Sequence, residues 1–249
     1  MKNKISSILT TLLNTVYPPK CIFCRCTLEK SRPDKLPVCF DCKETLPFTD
    51  NDGCFQSDDP ESIAYIIAPF EYRYPVDAAI RRLKFSYLST YAPTFASFIC
   101  DYLVRVPEVL CADMVIPVPL GKRRKRERDF NQSGLIGAAV AKTLGLPFDE
   151  DILLRVRETA RQSSLSKLDR LYNVMDAFAA AQSVEGMTIL LVDDVYTTGS
   201  TVISCARALK NAGAEKIILA AAATASRNYY RGTPAKSAAF PWVSSGSKR

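Results

Sequence analysis

A chain of 249 residues with 47% hydrophobic side chains and a formal net charge of +7 has enough apolar material for one full core plus a small accessory module, which excludes a disordered chain. It contains no histidine, which excludes His-based general acid/base chemistry and catalytic triads and leaves Asp, Glu, Lys, Tyr and Arg as proton-transfer groups. Nine cysteines, an odd count with no export signal ahead of them, point to a reducing compartment and a cytoplasmic protein rather than a disulfide framework.

In chain order, Lys2 to Val16 carries Ile5, Ile8, Leu9, Leu12, Leu13 and Val16 at helical spacing, which predicts an amphipathic helix over residues 1–17. It is too short to span a bilayer and is followed by Pro18-Pro19 rather than a small-residue cleavage site, so no transmembrane segment is expected. Its stripe suits packing on the core, with membrane-surface contact as the alternative. Cys21-x2-Cys24 and Cys39-x2-Cys42, fourteen residues apart, have the spacing of two thiolate knuckles closing a tetrahedral zinc site. Residues 18–50 are therefore predicted to form a structural zinc module whose metal supplies folding energy and keeps no open position for catalysis. Cys26 is a competing ligand, whereas Cys54, Cys100, Cys111 and Cys205 are scattered and read as small buried apolar residues.

Asn51 to Pro60, polar and acidic, is a predicted linker, and an α/β domain is expected over residues 61–226. Ile63 to Phe70 reads as a strand and Val76 to Phe85 as a short helix carrying Arg81, Arg82 and Lys84. A longer helix over Tyr91 to Val106 puts Phe95, Phe98, Ile99, Tyr102, Leu103 and Val106 on one face, and Met114 to Val118 is a second strand. A basic loop from Gly121 to Gln132 follows, with Lys122, Arg123, Arg124, Lys125, Arg126 and Arg128 as cations, and then a helix over Ser133 to Leu144. The loop has three readings: a solvated face, a pyrophosphate-neutralising patch, or a patch for a nucleic-acid backbone. Its position beyond the carboxyl end of a strand favours phosphate over the solvated face and leaves the two phosphate readings open. The segment from Arg155 to Phe178 is polar, cationic and too long for a simple connection, which predicts a functional lid or a disordered stretch. The tail, residues 227–249, continues no regular pattern and is read as disordered.

The most specific stretch is Thr188-Ile-Leu-Leu-Val-Asp-Asp-Val-Tyr-Thr-Thr-Gly-Ser-Thr201. Ile189 to Val192 suit a parallel strand covered on both faces, and Val202 to Lys210 continue with helical periodicity. Between them Thr197, Thr198, Ser200 and Thr201, with the backbone N–H groups opening the helix, are placed to hold a phosphate, and Gly199 allows close approach. Asp193 and Asp194 lie at the carboxyl end of the strand, where open α/β sheets place their ligands. Two carboxylates repel a bare phosphate, so their partners are vicinal sugar hydroxyls or a magnesium ion.

These residues resemble the fingerprint of the type I phosphoribosyltransferases. The resemblance implies an α/β, mostly parallel-sheet fold, Asp193 and Asp194 on the ribose hydroxyls of 5-phosphoribosyl 1-pyrophosphate, Thr197 to Thr201 on its 5-phosphate, and magnesium with the ligand. Val118-Pro-Leu, Phe130-Asn-Gln132, Thr159-x-x-Gln162-x-x-Leu165 and Arg170-x-x-Asn173-Val, joined to the four-cysteine module, are similar to the ComF family of competence-associated phosphoribosyltransferase-like proteins. That likeness covers about Ile5 to Ser226. It implies that the 119–132 loop with Arg157 and Arg161 meets pyrophosphate, that the 155–178 segment closes over the substrate, and that the protein assists DNA uptake. The chain departs from the family at Gly121, commonly His, and at Asp129, commonly Gly, which puts the role of that His in doubt here.

Two uses of the site follow. One is enzymatic displacement of pyrophosphate at the ribose anomeric carbon, with cations and magnesium stabilising the leaving group. Glutamine amidotransfer in cis is not expected, because Lys2 rather than cysteine follows Met1. The other is binding of single-stranded DNA by the basic loop, Arg81, Arg82 and Lys84, with Tyr72, Tyr74, Phe85 and Tyr87 as stacking groups or, alternatively, core residues. A third possibility is that the zinc module docks a protein partner of the uptake machinery.

Overall fold

The structure is a computed structural model that describes residues 18–28, 36–49, 53–57, 59–85, 91–121, 130–157 and 177–225. The predicted helix over 1–17, the cations from Lys122 to Arg128, most of the 155–178 segment with Arg161, and the 227–249 tail lie outside the described residues.

Eight strands are described in chain order: β1 (Cys54–Gln56), β2 (Tyr65–Ile67), β3 (Phe70–Glu71), β4 (Met114–Pro117), β5 (Leu153–Arg155), β6 (Phe178–Ala180), β7 (Thr188–Tyr196) and β8 (Lys216–Thr224). The helices are α1 (Phe40–Thr45), α2 (Val76–Phe85), α3 (Tyr91–Leu103), α4 (Gln132–Leu144) and α5 (Ser200–Asn211), with a 3-10 turn at Pro107–Cys111. The main sheet runs β1-β2-β8-β7-β4, with β3 continuing along β8. All of its pairings are parallel except that of β1 on β2.

Side chains alternate between faces of a strand, so a central parallel strand must be apolar at every position. Leu190 and Val192 of β7 join Val115, Ile218 and Ala220 in a core covered by Phe95 and Ile99 of α3 and Ile136 and Val140 of α4. Ile189 and Leu191 face the other way, with Ile116, Ile217 and Leu219, against Val202, Cys205 and Leu209 of α5 and against Leu153 and Phe178. Those last two belong to the separate antiparallel pair β5–β6, in register from Leu153↔Ala180 to Arg155↔Phe178. The pair pins both ends of the 155–178 segment side by side.

The amino-terminal module shares the first of these cores. Cys21, Ile22 and Phe23 are at most 1% exposed, and the Phe23 ring meets Phe70 and Phe95 edge-on at centroid distances of 5.8 and 5.9 Å. Such aromatic pairs stabilise beyond their buried area. Arg82 Nη2 donates to the carbonyls of Ile22 (2.8 Å) and Phe23 (2.6 Å), and Arg25 Nη1 donates to Tyr91 Oη at 3.2 Å. Arg82, read from the sequence as a phosphate-facing cation, is thus taken up by the knuckle backbone. Arg81 pairs with Asp77 at 2.7 Å. Of the aromatics considered for stacking, Tyr74 is exposed and Tyr72 half-buried; the side chains of Phe85 and Tyr87 lie outside the described residues.

Two elements and two cysteines differ from expectation. The predicted 51–60 linker contains β1, because Phe55 is buried and its strand pairs with β2. The expected strand from Ile63 to Phe70 is split into β2 and β3, both paired with β8. Cys100 and Cys205 are buried as expected, with burial pushing the Cys100 thiol up to about 12 and Cys205 well above its ordinary value; Cys111 is exposed and Cys54 only half-buried.

Replacing Phe23 with Ala removes the ring on which the module and the sheet domain meet. It is expected to lower the unfolding free energy of the whole chain by about 3–5 kcal/mol in urea denaturation followed by far-UV circular dichroism. An unchanged midpoint of the main transition would show instead that the module folds apart from the sheet.

Candidate functional site: an acid pair and a hydroxyl turn at the end of the central strand

β7 lies between β4 and β8 and stays in register with β8 as far as Tyr196↔Thr224. The acid pair is therefore held within the strand, whereas the sequence placed it at the strand's end. Ile189 to Val192 are 0% exposed, and Asp193, Asp194 and Val195 become half-buried where the covering layers end. Charge emerges where desolvation falls away.

The Asp193 carboxylate is oriented by two donors on one oxygen: Oδ1 accepts from Ser133 Oγ at 2.9 Å and from the Asp194 backbone N–H at 2.8 Å. After Tyr196 the chain turns through Thr197, Thr198 and Gly199 into α5, with Gly199 at φ +76° as its N-cap and no side-chain cap there. Gly199 is required twice over. Its backbone is left-handed, and a Cβ would stand 2.7 Å from Tyr196 Oη. Thr198 Oγ1 and Ser200 Oγ lie 3.1 Å apart, Thr197 is exposed, Ser200 is buried and Thr201 half-buried. The predicted residues 193–201 thus run from the last part of β7 through the turn into the start of α5, at the carboxyl edge of the sheet, where the partial positive charge of the amino end of α5 favours an anion.

Two neighbours were not singled out from the sequence. Ser133 is the second residue of α4 and 4% exposed, and its contact with Asp193 spans sixty positions, which no local pattern signals. Arg155 of β5 stacks its guanidinium 5.4 Å from the Phe178 ring centroid. It also acts electrostatically on Cys205 together with Asp193. Arg157, the predicted pyrophosphate contact that is described, is exposed just beyond β5. The remaining predicted contacts, Lys122, Arg123, Arg124, Lys125, Arg126, Arg128 and Arg161, lie outside the described residues.

The second cluster is in the amino-terminal module. The sulfur atoms of Cys21, Cys24, Cys39 and Cys42 all lie within 4.8 Å of one another, with Cys24 and Cys39 at 3.6 Å. Cys39 caps α1, where its sulfur accepts from the Cys42 N–H at 3.4 Å. The first knuckle is closed by Cys21 N–H to the Cys26 carbonyl (2.9 Å) and by Arg25 in the left-handed region at φ 69°. Burial and neighbouring thiols push Cys42 up. Burial also acts upward on Cys24, but the Cys26 backbone and adjacent thiols override it and hold Cys24 at about 7. Four thiolates this close repel one another unless a cation neutralises them, and an all-sulfur, closed set fits a tetrahedral zinc ion. Cys26, the expected competitor, stands outside this set.

Gly199→Ala is expected to lower stability by about 1–3 kcal/mol through the left-handed backbone alone, with the Tyr196 contact adding to it. Urea denaturation of the variant beside Gly145→Ala, a left-handed glycine with nothing within 4 Å of its Cβ position, separates strain from contact. Equal losses at the two positions would remove Tyr196 from the account.

The Phosphoribosyl transferase domain family matches residues 132–239, a span that begins with α4 and contains the acid pair and the hydroxyl turn. The DNA utilization protein YhgH of Salmonella typhimurium is 34% identical over 155 residues, covering 61% of this chain and 68% of the relative. Competence protein F of Haemophilus influenzae is 29% identical over 218 residues, 80% of this chain and 93% of the relative. Competence protein ComFC of Bacillus subtilis is 36% identical over 100 residues, 40% of this chain and 39% of the relative. A parallel sheet ending in this acid-and-hydroxyl loop, a four-cysteine module and relatives shared over this much of their length together mean that the chain belongs to the ComF family of competence-related, phosphoribosyltransferase-like proteins.

Proposed function

We propose that the protein binds 5-phosphoribosyl 1-pyrophosphate and, with single-stranded DNA, assists DNA uptake in natural transformation. The observation that carries the ligand reading is the sequence, over the last residues of β7 and the turn after it, of two half-buried carboxylates, that of Asp193 oriented by Ser133, and a glycine-opened helix with four hydroxyls in its first turn and approach. A ligand there needs hydroxyls for Asp193 and Asp194 and a phosphate for Thr197, Thr198, Gly199, Ser200 and Thr201, and a phosphorylated ribose offers both. Its pyrophosphate arm would be met by Arg157, Arg161 and the cations Lys122, Arg123, Arg124, Lys125, Arg126 and Arg128, and magnesium bound with the ligand would neutralise phosphate charge. The four sulfurs of the amino-terminal module suit a structural zinc ion.

The names of the relatives, DNA utilization and competence proteins, support the uptake role, with the cation-rich loop as the DNA contact and uptake-machinery proteins as partners. No helix of the described residues is long and apolar enough to cross a membrane, and the cysteine usage favours the cytoplasm. An enzymatic use of the same site, displacement of pyrophosphate at the anomeric carbon, is favoured by the domain-family match and tested alongside.

Equilibrium binding of radiolabelled 5-phosphoribosyl 1-pyrophosphate with magnesium is expected to weaken about 100-fold or more in Asp193→Asn/Asp194→Asn, because two charge-assisted hydrogen bonds are lost. Unchanged affinity would remove the acid pair from the site. In the same preparations, single-stranded DNA binding should fall steeply with salt, and the slope should flatten when residues 122–126 are all changed to Ala. Release of pyrophosphate on adding nucleobases or amines would identify the enzymatic use.

A further inference from the structure

We infer that Ser133 is a positioning residue of the ribose half of the site, held in place by a circuit of hydrogen bonds that runs through Asn131 and Val118 to Val192. This rests on the reading of Asp193 as a ribose ligand and adds to it the residue that orients that ligand and the bonds that hold it.

Three hydrogen bonds make a closed circuit across the carboxyl edge of the sheet. The Val118 N–H donates to the Val192 carbonyl at 2.8 Å, Asn131 Nδ2 donates to the Val118 carbonyl at 3.0 Å, and Ser133 Oγ donates to Asp193 Oδ1 at 2.9 Å. Val192 and Asp193 are adjacent in β7, and Asn131 and Ser133 are two residues apart where α4 begins, so the circuit closes on itself. The basic loop leaves it at Val118 and re-enters it at Asn131. Both anchors of that loop are therefore tied to the backbone and side chain that present the acid pair. Ser133 is 4% exposed, which excludes most competing water from its bond to Asp193 and leaves its hydroxyl little freedom to rotate away. The Asn131 bond to Val118 holds the start of α4, and with it Ser133, in place beside the Asp193 carboxylate.

The test measures affinity of the full chain for two probes: 5-phosphoribosyl 1-pyrophosphate with magnesium, and ribose 5-phosphate, which has no pyrophosphate arm. Ser133→Ala is expected to weaken both about tenfold, as loss of a hydrogen bond to a charged group does, and Ser133→Thr to restore them. In an Asp193→Asn background Ser133→Ala is expected to add nothing, since its partner's charge is already gone. Asn131→Ala is expected to weaken ribose 5-phosphate as well, because it opens the circuit that holds Ser133. Equal losses from Ser133→Ala in both backgrounds, or an Asn131→Ala effect confined to the pyrophosphate-bearing probe, would overturn the inference while the ribose reading stands. Wild-type protein that binds neither probe would overturn the ribose reading itself, and the inference with it.

Discussion

Everything at the site depends on β7 being fully apolar on both faces up to Val192 and polar immediately after. Four consecutive residues at 0% exposure fix the strand between α4 and α5, and a one-residue slip that put Asp193 in the place of Val192 would bury its carboxylate between those layers. The acids then emerge on backbone that is still paired with β8, so their placement is as rigid as the sheet. That rigidity suits ligand hydroxyls, which reward fixed acceptors. Tyr196, buried at the end of the strand, packs under the turn and makes glycine obligatory at 199.

The same constraint explains why the amino-terminal module is part of the domain. The core on the α3 and α4 side extends through Phe70 and Phe95 to Phe23, which projects from the first cysteine knuckle. Arg82 satisfies two carbonyls of that knuckle from α2. A loop of this length has too little apolar surface to order itself, and the aromatic contact together with a metal-ready sulfur cluster supplies the difference. Order in the four-cysteine module and order in the sheet domain are consequently linked through one set of side chains.

Much of this was legible in the sequence because the signals are local. The run from Ile189 to Thr201 writes strand, acids, turn and helix in one contiguous stretch, and the apolar periodicity of Val76 to Phe85 matches α2 end to end. The paired cysteine spacings likewise announce a four-sulfur cluster. What escaped is non-local or atypical in composition. β8 contains Ala220 to Ala223, which carry no β-branched signal, and it is a strand because small side chains let helices approach both faces. β5 and β6 are three residues each and exist through their pairing across a long intervening segment. Arg82 illustrates the reverse error: a cation in a basic stretch reads as phosphate-facing, whereas the fold turns it inward to carbonyls 59 and 60 positions away.

The most direct measurement of the central claim is isothermal titration calorimetry of the full chain with 5-phosphoribosyl 1-pyrophosphate, ribose 5-phosphate and pyrophosphate, each with magnesium. The account predicts one site per chain for 5-phosphoribosyl 1-pyrophosphate, with ribose 5-phosphate competing for it and both losing affinity when Asp193 and Asp194 are neutralised. Binding of pyrophosphate alone, with no competition from ribose 5-phosphate, would contradict it, since the ligand would then be held by the cations and the acid-and-hydroxyl loop would have no part in it.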